Sequence, residues 1–468
     1  MTETSGISSP GLCRLTVKTP RRLLDLAVPG DVPLADLLPT LLDHAGEELA
    51  EQGIEHGGWI LQRLGEDPLD EESTPEALGL RDGETLHLRP RADTLPAIHF
   101  DDLVDGVAGS MRERPHGWTA RSGRRMLLGT ATLLLAAGWV ICVLPGGPLT
   151  TRAAVAAVTG LLVLFGAAAA SRAVGDAAAG AALGVFVPPY LALAGALLTA
   201  GDTDGGGLLT GSGMLAAAAA AAGGAVLAVA AVAAYVPLLL SLAVLAVGGA
   251  VWGVLMLTLD TGAGPAAAPV AVVAVILGGL VPGISFRLSG LRLPVLPSNA
   301  EELQEGIDPH PHGHVVTRTG LAEEWMTALY AAIGLLLAGI LTALLADDPG
   351  TPARVTAAVI CLLLLLHSRG IGHAWQRPAV FLPGLYGLVL MALTTAPELA
   401  PERRPVLLAS LLALAGAAAI ASWTVPGRRM LPHWGRAGDI LHTCAAVALI
   451  PLSLWVLGVY GRLRGISG

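Results

Sequence analysis

Lysine is almost missing: the 468-residue chain has one, Lys18, in the string TVKTP. A phosphate cradle of the Gly-Lys-Ser/Thr type needs a lysine directly after its glycine loop, so the chain carries no P-loop. Any energy-consuming process it serves must draw on a motor in another subunit. Cysteine is scarce as well, and Cys13, Cys142, Cys361 and Cys444 show no spacing for a disulfide framework or a zinc site. They read as small buried hydrophobes. Charged residues make up only 14% of the chain and aromatics 4%, and the charge is unevenly placed. Residues 1–125 hold 22 of the 37 acidic side chains and 13 of the 28 basic ones, a balance of about −9. The remainder is neutral on balance and apolar, which carries the whole chain to 53% hydrophobic residues and a mean hydropathy of +0.65.

Runs of roughly 20 apolar residues are what a hydrocarbon core requires, and from Met126 onward the chain supplies one after another. Eleven spans are expected: 126–144, 153–170, 177–200, 213–234, 236–259, 266–286, 326–346, 351–367, 379–396, 406–425 and 440–460. The first long apolar run starts only at Met126, so no cleavable signal peptide is expected and the head should stay cytosolic. Arg121, Arg124 and Arg125 flank that run on its N-terminal side. An odd span count puts the termini on opposite sides, and arginine tests the arrangement because basic residues are enriched in short cytoplasmic loops. Arg172, Arg287, Arg292, Arg318, Arg369, Arg377, Arg428, Arg429 and Arg436 fall in inner loops. Arg152, Arg354, Arg403 and Arg404 fall outside, with Asp202, Asp204, Asp260, Asp347, Asp348, Glu398 and Glu402. Arg462 and Arg464 in the tail run against the trend. The expected location is therefore the inner or plasma membrane, N-terminus cytoplasmic and C-terminus extracytoplasmic.

Ahead of the spans the hydrophobic period alternates in the order strand, strand, helix, strand, strand between Leu12 and Pro90. Cys13, Leu15 and Val17, then Leu24, Leu26 and Val28, share one buried face of a hairpin. Leu34, Leu37, Leu38, Leu41, Leu42 and Ala45 form a helical stripe that should kink at Pro39. Later strands are expected at Trp59–Leu64 and, after an Asp82-Gly83 turn, at Glu84–Arg89. The expected organisation is a flexible start (1–11), a cytosolic α+β head (12–90), an acidic amphipathic linker (91–125), the membrane domain (126–460) with a cytosolic loop at 287–324, and a tail (461–468). In the linker Phe100, Leu103, Val104, Val107 and Met111 line one helical face opposite Asp101, Asp102 and Asp105. The first four of these apolar residues are candidates for docking a cytosolic partner.

The spans are rich in Ala, Gly, Leu and Val, with small-xxx-small spacings at Gly180/Gly184, Gly249/Gly253 and Gly279/Gly283. Such pairs let helices approach closely, within the chain or across a homodimer seam. Chemistry is harder to find. His310, His312 and His314 cluster in DPHPHGH, a Pro/Gly-rich solvated loop, and no metal or cofactor is expected there. Ser285, in Gly-Ile-Ser, with His442 as a conceivable base, would be the arrangement of a rhomboid-like protease, but the serine sits at an ordinary helix exit and no catalytic residue is assigned. A small-molecule transporter would place ionisable groups near the midplane; Asp176, His367 and Asp439 lie at expected span ends instead.

The second half of the head, PLDEESTPEALGLRDGETLHLRP, resembles ubiquitin, with a last strand that runs on through Pro90 where a conjugating tail would be free. The fold expected is therefore a ubiquitin-like β-grasp domain followed by an all-α polytopic membrane domain. Taken with CRLTVKTPRRLLDLAVPGDVPLADLLPTLLDHAGE, GGWILQRLGEDPLD and LPAIHFDDLVDGVA, the chain resembles the EccD component of type VII (ESX) secretion systems over essentially its whole length. The resemblance implies a non-catalytic structural subunit that pairs with a second copy. Its implied partners are an FtsK/SpoIIIE-type ATPase of the EccC kind, EccB-like and EccE-like membrane subunits and membrane lipids, with no nucleic acid and no cofactor.

Overall fold

The structure is a computed structural model that describes residues 12–19, 22–46, 58–64, 66–91, 119–200, 210–291, 311–346, 349–424 and 432–467. It divides into two compact units, residues 1–119 and 120–468.

The first unit is a four-stranded sheet covered by one helix. Strands β1 (Leu12–Lys18), β2 (Leu23–Pro29), β3 (Trp59–Gln62) and β4 (Glu84–Pro90) lie in the order β2-β1-β4-β3, and α1 (Leu34–Ala45) packs on one face. β1 runs antiparallel to β2 and parallel to β4, while β3 closes antiparallel on β4. This is the β-grasp arrangement expected from the resemblance to ubiquitin. Leu15, Val17, Leu86, Leu88, Trp59 and Leu61 project inward from the strands to meet Leu34, Leu41 and Ala45 of the helix. Each such aliphatic side chain contributes about 1.5–3 kcal/mol by leaving water. The Asp82-Gly83 turn latches onto β1: Asp82 Oδ1 accepts from the Arg14 N–H at 2.8 Å, and the Gly83 N–H donates to Arg14 O at 2.7 Å. Gly83 has φ +82°, a conformation that suits glycine. The helix runs through Pro39, and the third strand stops at Gln62, two residues earlier than its apolar pattern suggests.

The second unit is all helical. Its elements are α2 (Ala120–Val143), α3 (Leu149–Ala168) extended by a π turn (Ala169–Ala173), α4 (Ala177–Gly184), α5 (Val187–Thr199), α6 (Gly211–Val232), α7 (Val236–Leu259) and α8 (Ala263–Leu288). They are followed by α9 (His312–Leu344), α10 (Thr351–Ser368), α11 (Gln376–Thr395), α12 (Arg404–Thr424), α13 (Pro432–Val456) and a short polar α14 (Val459–Ser467). Among the described residues, eleven helical segments are long and apolar enough to cross a membrane, α4 and α5 counting as one. That number and order match the expected spans. Three helices start more than four residues early: α2 at Ala120, α9 at His312 and α13 at Pro432, so residues 312–324, expected in a loop, are helical.

Small residues set the packing. α6 is mostly alanine and glycine, which lets α5 and α7 lie against its backbone. A Cβ added at Gly195 of α5 would sit 2.6 Å from Ala216 O. The main core runs through α7–α11 and α13, around Trp252, Trp325, Leu337, Ile340, Leu341 and Ile360. A smaller one joins α3–α7 around Ala167, Val187, Ala228 and Leu239.

Candidate functional site

With no catalytic group expected, the surfaces and seams through which the membrane domain could assemble are the candidate site. The three glycine pairs separate cleanly. At Gly180 an added Cβ would meet Ser171 Cβ at 2.9 Å and Ala167 O at 3.0 Å, and at Gly184 it would meet Leu239 at 3.3 Å. At Gly249 it would touch Ala218 at 3.8 Å, and at Gly253 it would meet Gly211 O and Leu215 N, both at 3.0 Å. These four glycines lie against their own chain. Gly279 and Gly283 have nothing within 4 Å and are exposed.

Among the described glycines, the tightest approach to another helix's backbone involves one that belongs to no Gly-xxx-Gly pair. A Cβ on Gly334 of α9 would lie 2.3 Å from Ala379 O and 3.0 Å from Pro383 Cγ, both on α11. Pro383 has no N–H, so the Ala379 carbonyl four residues before it loses its helical donor. The bare Cα of Gly334 fits against that freed carbonyl, where a weak C–H···O contact is available.

Polar groups tie helix ends together. Arg124 of α2 pairs with Asp176, whose carboxylate also caps α4 by accepting from the Ala179 N–H at 2.9 Å. The Arg124 hydrogen bond, reinforced by backbone N–H groups, holds the Asp176 carboxyl below its usual range. The Ser171 hydroxyl donates to Val232 O at 2.6 Å and Arg172 donates to Ala230 O and Ala231 O, satisfying carbonyls at the end of α6. The α6–α7 connection that follows has Ala233 and Tyr235 at φ 54° and 52°. Trp139 Nε1 donates to Pro189 O at 3.0 Å and the Tyr190 hydroxyl to Leu135 O at 2.8 Å, fastening α2 to α5. Arg369 reaches Asp439 at 2.6 Å between α10 and α13.

Two helices stay open. No residue of α2 or α12 is buried, although each carries a window of mean hydropathy 2.1. α12 presents Ala409, Ala413, Gly416, Ala417 and Ala421 at close helical spacing, and a Cβ on Gly416 would meet nothing within 4 Å.

The head offers a mixed surface. Arg63 Nε donates to Glu84 Oε1 at 2.5 Å. Burial pushes the Glu84 carboxyl up, but the bonds from Arg63 and the Arg81 N–H outweigh it and leave it below the usual range. Desolvation, then the charges of Lys18 and Arg89, push His87 down.

The remaining sequence candidates fare unequally. Phe100, Leu103, Val104 and Val107, and His310, lie outside the described residues. His312 and His314 start α9, and among the described residues no group of three or more His, Cys, Asp or Glu could hold a metal. Ser285 is fully buried and its hydroxyl makes no hydrogen bond, so it is not bonded to His442. His442 instead stacks on His367. A nucleophile without a hydrogen-bonded base lacks the activation a serine protease requires.

Comparison with known proteins places these features. Residues 12–88 match the model of the YukD protein of the WXG100 protein secretion system, and residues 123–466 match the EccD-like transmembrane domain. The ESX-4 secretion system protein eccD4 of Mycobacterium tuberculosis is 28% identical, with 98% of both chains covered. The ESX-5 secretion system protein EccD5 of Mycobacterium marinum is 25% identical over 39% of this chain and 41% of its own. Among solved structures, protomer 1 of the ESX-3 core complex overlays with a TM-score of 0.57 at 20% identity, covering 97% of this chain and 100% of that one. A chain of the MycP5-free ESX-5 inner membrane complex also gives 0.57, at 19% identity, with 89% and 100% covered. With the transmembrane family model matched over nearly three quarters of its length, this chain belongs to the EccD family.

Proposed function

We propose that the chain is a non-catalytic structural subunit of a type VII secretion complex in the cell membrane, that it pairs with a second copy through its membrane domain, and that its head and linker dock a separate cytosolic motor. The observation that carries the reading is α12, an apolar helix with no buried residue and a small-residue face. Lipid tails are as apolar as leucine, so burial of greasy surface does not drive helices together in a bilayer; close packing of small residues does. A helix with such a face and no buried residue among those described is suited to another protein chain. The open Gly279/Gly283 face of α8 is a second surface of the same kind.

The motor must be separate because the chain has no phosphate cradle. The head and linker carry about −9, which would steer a basic partner surface, while Phe100, Leu103, Val104 and Val107 supply the apolar contacts. The arginine distribution supports a cytosolic head and an extracytoplasmic Ser467. EccB-like and EccE-like subunits and lipid would cover the remaining outer faces.

A disulfide trap tests the pairing. Gly416→Cys in a Cys444→Ala background should give a covalent dimer when membranes are oxidised; a chain that stays monomeric while the complex remains assembled would refute α12 as the seam. Phe100→Asp with Val104→Asp should weaken capture of the EccC-like ATPase and stop export, with insertion and pairing intact. Normal capture and export at matched protein levels would place motor docking elsewhere.

A further inference from the structure

The membrane domain contains a polar cluster that packing leaves unsatisfied. His367 lies at the end of α10 and His442 ten residues after the start of α13, their ring centroids 5.4 Å apart and their planes inclined by 24°. Tyr330 of α9 leans on His367, centroids 6.0 Å apart at 57°. The Nε2 atoms of both histidines are buried and have no hydrogen-bond partner. In an apolar setting each such atom costs about 1–3 kcal/mol unless something fills its need.

What fills it is constrained by the space beside it. The two imidazoles and Tyr330 border a cavity between α8, α9, α10, α11 and α13 that leaves about 60 Å³ for the centres of water-sized molecules. The cavity exists because Gly278 is buried with no side chain, and a Cβ there would meet nothing within 4 Å. A site able to hold an aromatic ring is larger, about 150 Å³, whereas one water needs only about 10–15 Å³ and two to four polar partners. A metal ion would find two imidazoles and, among the described residues, no third His, Cys or carboxylate. Water fits the volume, and within an otherwise apolar lining the two Nε2 atoms are the polar partners it would find.

The charges around the cluster are few. α8 contributes Ala274, Val275, Gly278 and Gly279 to the wall, α9 contributes Tyr330 and aliphatic residues, and α11 contributes Val380. Beyond the rings, Arg369 and Asp439 are paired with each other across the same α10–α13 seam. Among the described residues no acidic side chain lines the cavity, so the two imidazoles answer to each other.

We propose that His367 and His442 form a hydrated proton-binding dyad: water in the cavity bridges the two Nε2 atoms, the rings take up a solvent proton on a bare imidazole nitrogen as one coupled unit, and charging them rearranges the α10–α13 seam. Ionisable groups in membrane helices are by default functional-site candidates, proton relays among them, and interacting sites share their titration. The inference needs no particular partner of the complex and is separate from the reading of α12.

The test uses the full chain in lipid nanodiscs with ¹⁵N-labelled histidine, followed by NMR across roughly pH 5–8, where imidazole changes charge. The His367 and His442 signals should titrate together. His442→Gln, which hydrogen-bonds but does not titrate, should move the His367 midpoint by about one pH unit or more, and Gly278→Val, which fills the cavity, should disturb both signals. Spin labels at Leu362 of α10 and Val447 of α13 should report a separation that changes with pH in the unmodified dyad and not in His367→Gln/His442→Gln. Independent titrations that ignore replacement of the partner ring, no titration of either ring, or a pH-invariant separation would each overturn the proposal.

Discussion

Replacing Gly334 with alanine adds one methyl group at the crossing of α9 and α11. That methyl would lie 2.3 Å from Ala379 O, whereas carbon and carbonyl oxygen normally rest about 3.3–3.6 Å apart. The helices must part by roughly 1 Å, because the obstacle is a backbone carbonyl beside Pro383 and not a side chain that can rotate aside. Overpacking of this kind costs about 1–3 kcal/mol. Alanine also favours a helix over glycine by about 1 kcal/mol, which would mask part of the loss. Gly320→Ala is the matched control, since its Cβ enters open space on the same helix. The propensity gain is common to both variants, so their difference isolates the steric cost. Equilibrium unfolding of the full chain in mixed detergent should show Gly334→Ala about 1–3 kcal/mol less stable than Gly320→Ala. Equal stabilities, within about 0.5 kcal/mol, would mean that the seam yields and that the close glycine contact is not what sets it.

Leu86→Ala, at a head residue with no exposed surface, should cost about 2–5 kcal/mol of head stability and leave span insertion unchanged, as read by hydrogen exchange in the full chain. The Glu84 carboxyl has a folded pKa below its unfolded value, so its contribution is complete above about pH 4.3 and is lost as pH falls through the folded value. Arg63→Gln should remove that acid-sensitive component, below about 1 kcal/mol for so partly exposed a pair, and β4 amide exchange at pH 3 and 6 would detect it. Ala233→Gly should stabilise the α6–α7 turn by about 1 kcal/mol, because glycine takes φ 54° without the side-chain penalty; lower thermal stability would contradict this. Ser285→Ala should leave export at the wild-type level, and loss of export with normal folding would revive the protease reading.

The span 236–259 is legible to the residue because Pro237 starts it and Asp260 ends it, sharp changes on both sides of an apolar run. Helix ends beyond the apolar window are harder to read. Arg121, Arg124 and Arg125 continue α2, and Arg318, Glu323 and Glu324 continue α9, since hydropathy reports the surroundings a residue tolerates and says little about its backbone. The same limit applies to the candidate site. Spacing marks Gly180, Gly184, Gly249, Gly253, Gly279 and Gly283 alike, yet whether the facing atoms belong to the same chain depends on which helices become neighbours. Gly334 belongs to no Gly-xxx-Gly pair, and its counterpart is a proline-freed carbonyl 45 positions away. His367 and His442 look unremarkable 75 residues apart, and only the α10–α13 seam joins them.

The sheet order of the head bears on how the protein is made. β1 and β4, its first and last strands, are parallel neighbours at the centre of the sheet, so the head cannot close until residue 90 has been synthesised. α2 begins at Ala120, about thirty residues later, or a few seconds at ordinary elongation rates of about 5–20 residues per second. The interval between completing the sheet's sequence and offering the first span to the insertion machinery is therefore brief. A ribosome slowed between codons 90 and 120 would lengthen it and give the sheet more time to close before insertion, whereas faster elongation would send an open, aggregation-prone β1–β2 hairpin to the membrane.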